Sequence, residues 1–182
     1  MFNRNSREGA KKNIMAHYDL GNDFYSLWLD PSMTYSSAIF DNPNMSLEQS
    51  QHNKYRNICD RINAGPSSEI LEIGCGWGGF AKYAAETRGC HVTGISISTE
   101  QIAYARKYTR GLPVEIFGCD YRDLLQKFQP GHFDKIVIIG MIGLTTALGL
   151  LPPYLIKVLV DDVFVVTDAA VTTQAPAAPG GE

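Results

Sequence analysis

At 182 residues and 20.1 kDa the chain is long enough for one domain with a buried core, and 45% apolar with 19% charged residues argues against disorder, collagen or coiled coil for most of it. A net charge of −3 and a pI near 5.8 give no whole-protein field toward nucleic acid or an anionic membrane. The only basic excess lies in residues 1–12, where Arg4, Arg7, Lys11 and Lys12 face Glu8 alone; it reads as a solvated tail, with peripheral membrane contact as the lesser alternative. Cys59, Cys75, Cys90 and Cys119 stand 16, 15 and 29 residues apart, with no CxxC pair for a metal and no secretory leader before them. The expectation is a reduced, cytoplasmic protein without a metal site.

Residues 13–66 are polar and aromatic, with turn signals at Gly21-Asn22-Asp23, Asp30-Pro31 and Asp41-Asn42-Pro43, and predict a helical cover. Ser46 and Gln49 have capping-box spacing, and Leu47, Ser50, Gln51, Lys54, Ile58 and Ile62 continue as an amphipathic helix until Gly65-Pro66 stops it. Strands and helices then alternate. The segment 69–73 predicts a strand, Gly78 to Arg88 a helix closed by Gly89, and His91 to Ile97 a second strand. Ser98 caps a helix to Thr109; Val114 to Phe117 and Phe133 to Ile139 give the third and fourth strands. This order predicts an α/β fold, a doubly wound and mostly parallel sheet with helices on both faces. The uncharged run Ile136 to Leu151 is 16 residues long and ends at Pro152-Pro153, too short for a membrane helix. A weaker fifth strand spans Val163 to Thr167. The α/β domain thus covers 67–168, and 169–182 is too poor in large apolar groups to pack, which predicts disorder.

The most informative segment runs from Glu72 through Ile73-Gly74-Cys75-Gly76-Trp77-Gly78-Gly79, between the first strand and its helix. Glycines there let the backbone turn sharply and approach a ligand at a helix N-terminus. Gly74, Gly76 and Gly79 satisfy G-x-G-x-x-G, but a dinucleotide site wants an acid at the tip of the second strand, and that tip reads Ile95-Ser96-Ile97-Ser98. A generic strand-to-helix turn is the third reading. Glu72 followed by Gly74, Gly76 and Gly78 resembles the first motif of S-adenosylmethionine-dependent methyltransferases, which implies a Rossmann-like fold and that cofactor.

The flanks extend the resemblance. His17-Tyr-Asp-Leu-Gly-Asn-Asp-Phe-Tyr25, Met33-Thr-Tyr-Ser-Ser-Ala-Ile-Phe40, Leu47-Glu-Gln-Ser-Gln51 with Lys54, Leu71 to Phe80, Gly94 to Gln101 and Asp120-Tyr-Arg-Asp-Leu124 come in the order of the cyclopropane-fatty-acyl-phospholipid synthases and mycolic acid cyclopropane synthases. The resemblance covers about Asn13 to Met141. It implies that Tyr35 and Ser36 touch the cofactor from the cover and that Gly74, Gly76 and Gly78 line its methionine part beside Glu72. It further implies that Ser96 and Gln101 take the ribose hydroxyls, with Asp120 and Tyr121 bordering the adenine. The implied reaction adds a methylene to an unsaturated lipid acyl chain: the alkene attacks the sulfonium methyl and a buried bicarbonate accepts a proton, which needs a dry, preorganised pocket. His17, Tyr25 and Ser37 fall in the segments of this acceptor side; a structural role for His17 weighs equally.

The resemblance fails after the fourth strand. Gly143 occupies the position of a glutamate that helps hold the bicarbonate, Thr167 stands where His or Gln is usual, and the family's closing strands and lid have no counterpart before Glu182. The sequence therefore looks like a shortened copy, with an exposed sheet edge, a tendency to associate, and little turnover expected. Two alternatives stay open: an amine N-methyltransferase, since plant alkaloid enzymes share the fold and several motifs, and a non-catalytic cofactor-binding remnant.

Overall fold

The computed structural model describes residues 21–139. Helix α1 (Gly21–Ser26) and helix α2 (Leu47–Arg61) precede the alternating region. This contains β1 (Glu69–Ile73), α3 (Gly79–Arg88), β2 (His91–Ser96), α4 (Thr99–Tyr108), β3 (Val114–Gly118), a 3₁₀ turn (Tyr121–Asp123), the short α5 (Leu124–Lys127) and β4 (Lys135–Ile138). His17, Gly143, Thr167, the fifth strand and both tails lie outside the described residues.

Local chemistry explains most boundaries. At α2 the capping box is complete, Gln49 N–H donating to Ser46 Oγ and Ser46 N–H to Gln49 Oε1. Ser98 accepts from Gln101 N–H to cap α4, and Gly89 ends α3 in the left-handed conformation. One turn signal resolves differently, because Gly21 at φ +78° opens α1 instead of closing a turn. Met33 N–H donates to Asp30 O and Asn44 N–H to Asn42 Oδ1, so the other two signals are turns.

All four strands are parallel, in the order β3-β2-β1-β4. Successive crossovers through α3 and α4 step from β1 to β3, and both helices pack on one face. The chain then reverses to reach β4, and the reversal puts the 3₁₀ turn and α5 on the opposite face. Tyr55, Cys59, Ile70, Phe80, Ala81, Ala84, Cys90, Val92 and Val137 form the core between α2, α3 and the sheet. Leu71, Ile95 and Leu124, backed by Phe117, Phe128 and Phe133, fill the other face. Helical cover of the second face is therefore confined, among the described residues, to these short turns. Reversal beside β1 makes a switch point, and the crevice outside the strand ends there is where such sheets bind ligands.

Candidate functional site at the ends of β1 and β2

Gly74, Gly76 and Gly78 all take positive φ, at +74°, +55° and +86°, as the loop folds back over β2 and Gly74 and Cys75 N–H both donate to Ile95 O. Their surroundings divide them. A Cβ on Gly74 or Gly76 would meet nothing within 4 Å, whereas one on Gly78 would lie 3.1 Å from Ala105 Cβ. Gly78 is thus the point where α3 packs on α4, and it does not line the cleft. A Cβ on Gly79 would lie 2.6 Å from Tyr55 Oη and 2.9 Å from Ser32 O, so the helical cover closes onto this position.

The cleft in front of the loop is lined by Met33, Thr34, Tyr35, Ser36, Tyr55, Glu72, Gly74, Cys75, Gly76, Trp77, Gly79, Phe80, Gln101 and Ile139. The cleft brings together Tyr35, Ser36, Glu72, Gly74, Gly76 and Gln101, which are separated by up to 66 positions in sequence. Ser96 sits just behind: its Oγ donates to Gln101 Oε1 at 3.0 Å and accepts from Ser98 N–H, fixing an uncharged polar strand tip. Asp120 and Tyr121 follow β3, tied to β2 by Cys119 N–H donating to Ser96 O, but they do not line the cleft. The Asp120 carboxylate caps the 3₁₀ turn through Arg122 N–H and forms a bidentate pair with the Arg122 guanidinium. Tyr121 packs against the Leu71–Ile95–Leu124 core.

On the cover side Tyr25 is buried among Phe24, Trp28, Tyr35 and Trp77, with Trp77 Nε1 donating to Asn22 Oδ1 at 2.6 Å. Met33 joins that cluster at φ +53°, a conformation costly for a residue with a side chain. Ser37 is exposed, and its carbonyl accepts from Lys54 Nζ. Neither Tyr25 nor Ser37 lines the cleft.

Beneath the cleft lies a polar layer that amphipathic patterning did not reveal. α2 buries Ser50, Gln51, Asn53 and Lys54 alongside Tyr55 and Cys59. Thr34 Oγ1 bonds both Tyr55 Oη and Ser32 Oγ. Glu72 is 2% exposed, and burial pushes its carboxyl up to about 8 against the opposing pull of Ala81 N–H, which donates to it, and of the Lys54 ammonium. Its Oε2 has no hydrogen-bond partner among the described residues, although Glu72 lines the cleft. Burial drives Lys54 down to about 8, resisted by the Asp30 and Glu72 carboxylates, and holds the Cys75 thiol far up, which leaves it unreactive. Gln51 and Lys54 carried a sequence signal, polar residues three apart at inward-facing positions beside Ser50; Gly79 carried one in the glycine run.

A parallel sheet with a glycine loop after β1, a polar uncharged tip on β2 and a helical cover closing over both defines the Rossmann-like methyltransferase fold. A cyclopropane synthase from Mycobacterium tuberculosis superposes with a TM-score of 0.65 at 32% identity, over 71% of this chain and 45% of that one. A mycolic acid cyclopropane synthase complexed with SAH and CTAB gives 0.65 at 30%, over 72% and 46%. The chain belongs to the mycolic acid cyclopropane synthetase family, which it matches over residues 5–148. The cyclopropane-fatty-acyl-phospholipid synthase of Escherichia coli K12 is 42% identical over 141 residues, 78% of this chain. The chain spans about a third of the length of such curated relatives.

Proposed function

We propose that the cleft binds S-adenosylmethionine and that the chain carries the methyl-transfer half of a cyclopropane-fatty-acyl-phospholipid synthase type of enzyme, acting on unsaturated acyl chains. The carrying observation is the open space at Gly74 and Gly76, where left-handed backbone disfavours other residues and no atom of the described residues lies within 4 Å of where a Cβ would stand. Buried Glu72 Oε2, which has no hydrogen-bond partner among the described residues, suits a cationic or hydrogen-bond-donating end of the ligand there. Gln101, backed by Ser96, suits the ribose hydroxyls, and Ser36 and Tyr35 close the cleft from the cover. The cofactor supplies an electrophilic methyl on a sulfonium. The chain's own residues hold and orient it and keep water from that side.

Asp120 and Tyr121 stand in this reading as the far border, at the adenine end. The acceptor side, with bicarbonate as base and a lipid acyl chain as substrate, draws on His17, Tyr25 and Ser37; Gly143 offers it no carboxylate. A relative's complex with CTAB, a long-chain amphiphile, supports an apolar-chain substrate. Titration calorimetry of the chain with SAH and with NAD tests the cofactor assignment: binding of SAH and none of NAD is expected, and comparable NAD affinity overturns it. For the substrate, lipids of cells making the chain fused to a family C-terminal region should gain 14 mass units on unsaturated acyl chains. Unchanged lipids beside a methylated amine would refute the acyl assignment.

A further inference from the structure

Gln51 and Lys54 stand three residues apart on the inward face of α2 and are 1% and 7% exposed. A lysine this deep needs a reason. Its ammonium donates to Ser36 Oγ at 2.6 Å, Ser37 O at 3.1 Å and Gln51 Oε1 at 2.6 Å, which uses all three of its protons. Gln51 Nε2 donates in turn to Ser36 O at 2.8 Å. Further along, Asn53 Nδ2 donates to Ile39 O and Ile39 N–H to Ser50 O, so α2 grips the chain from Ser36 to Ile39. That segment has no regular secondary structure of its own, yet Tyr35 and Ser36 line the cleft. Lys54 itself does not. The carboxylates facing it are those of Asp30 and Glu72, and the Tyr55 ring lies 5.2 Å away.

We propose that Gln51 and Lys54 are positioning residues for the cofactor: they hold Tyr35, Ser36 and Ser37 against the glycine loop, Lys54 acting through Ser36 and never touching the ligand. The proposal rests on the cofactor assignment above. An irregular segment tied by one charge-assisted and one neutral side-chain bond at the same residue is fixed in both backbone and side chain, so binding meets a formed wall and loses less ordering entropy.

The test is SAH titration calorimetry on the full chain for wild type, Lys54→Met, Lys54→Arg, Ser36→Ala and the Lys54→Met/Ser36→Ala pair. Lys54→Met should weaken SAH about tenfold or more, the scale of a lost charge-assisted bond, and Lys54→Arg should recover part of the loss. The double variant should lose less than the two single effects multiplied, because the Lys54–Ser36 bond is counted in both; effects that multiply in full would overturn the proposal. Hydrogen exchange supplies the second readout, with amides 35–39 faster in Lys54→Met and those of β1 and β2 unchanged. Should Lys54→Met not fold, Gln51→Leu, which removes the donor to Ser36 O, takes its place, read by SAH affinity and by exchange of amides 35–39. Wild-type binding that Lys54→Met leaves intact would overturn the positioning role alone. Failure of the wild type to bind SAH would overturn the cofactor assignment and this role with it.

Discussion

Glu72 is a carboxyl that the fold holds at a cost, and Glu72→Gln measures that cost. It is fully enclosed between β1, α2 and α3, and burial raises it from 4.5 to about 8 while Ala81 N–H and Lys54 oppose the rise. A carboxyl with a raised folded value favours the folded state while protonated, so its contribution is complete below about pH 4.5 and is lost as pH climbs through about 8. At about 1.4 kcal/mol per pH unit the separation sets a ceiling of about 5 kcal/mol on the loss. Lys54, driven down to about 8, acts in another window: its cost is present below about pH 8 and is relieved as pH rises toward 10.5. Between pH 5 and pH 8 the slope of the wild-type curve therefore reports Glu72, and in Glu72→Gln the loss of the carboxylate lets Lys54 fall further, which adds to that variant's gain as pH rises. Urea unfolding of both proteins at half-unit intervals should show Glu72→Gln gaining on wild type by several kcal/mol across that range, whatever its offset at pH 5. Parallel curves would refute the reasoning, since they would mean that the carboxyl ionises inside the fold as easily as outside it.

Two further substitutions separate the jobs of neighbouring glycines. Gly76→Val should remove measurable SAH binding by calorimetry, because a branched side chain at φ +55° is strained and its Cβ enters the open space of the cleft. Gly79→Ala should instead lower stability in thermal unfolding by about 1–3 kcal/mol through overpacking against Tyr55 Oη and Ser32 O; the loss should shrink in a Tyr55→Phe background, which removes the nearer atom.

The strands and the helix caps were legible because each rests on a local signal: short apolar runs at Glu69–Ile73 and His91–Ser96, Ser46 with Gln49, Ser98 with Gln101, and Gly89 after Arg88; the parallel pairing followed from their alternation with helices. The residues that meet at the cleft were named by the family resemblance, and the fold shows why they are neighbours: Glu72, Gly74 and Gly76 close β1, and Gln101 opens α4 just past the tip of β2 with Ser96 behind it. Gly78 and Gly79 were not separable in sequence. One approaches Ala105 on α4 and the other Tyr55 on α2, and which helix lies over a glycine is decided by tertiary packing. Asp120 is the reverse case: the sequence places an acid after β3, but only the fold shows its carboxylate committed to Arg122.

The spacing of Ser50, Gln51 and Lys54 put them on one face of α2, and the fold buries all three; what that face meets was not legible, for a physical reason that bears on how the site is held. Helical periodicity reports which side faces inward and is silent on whether that side meets hydrocarbon or backbone. Here Tyr55 and Cys59 meet the core of the sheet while Gln51, Asn53 and Lys54 meet the irregular segment 36–39, whose carbonyls need donors once they leave water. An apolar α2 would leave those carbonyls unsatisfied, and the segment would move out to solvent. Polar donors from a rigid helix instead give an irregular strip of chain one position, because a hydrogen bond constrains direction as well as distance and apolar contact does not. The same logic runs through Ser32, Thr34 and Tyr55 on the other side of the strip. The wall of the cleft is therefore set by a continuous polar layer from Asp30 to Lys54, and a single unpaired member should loosen cofactor geometry before it unfolds the sheet.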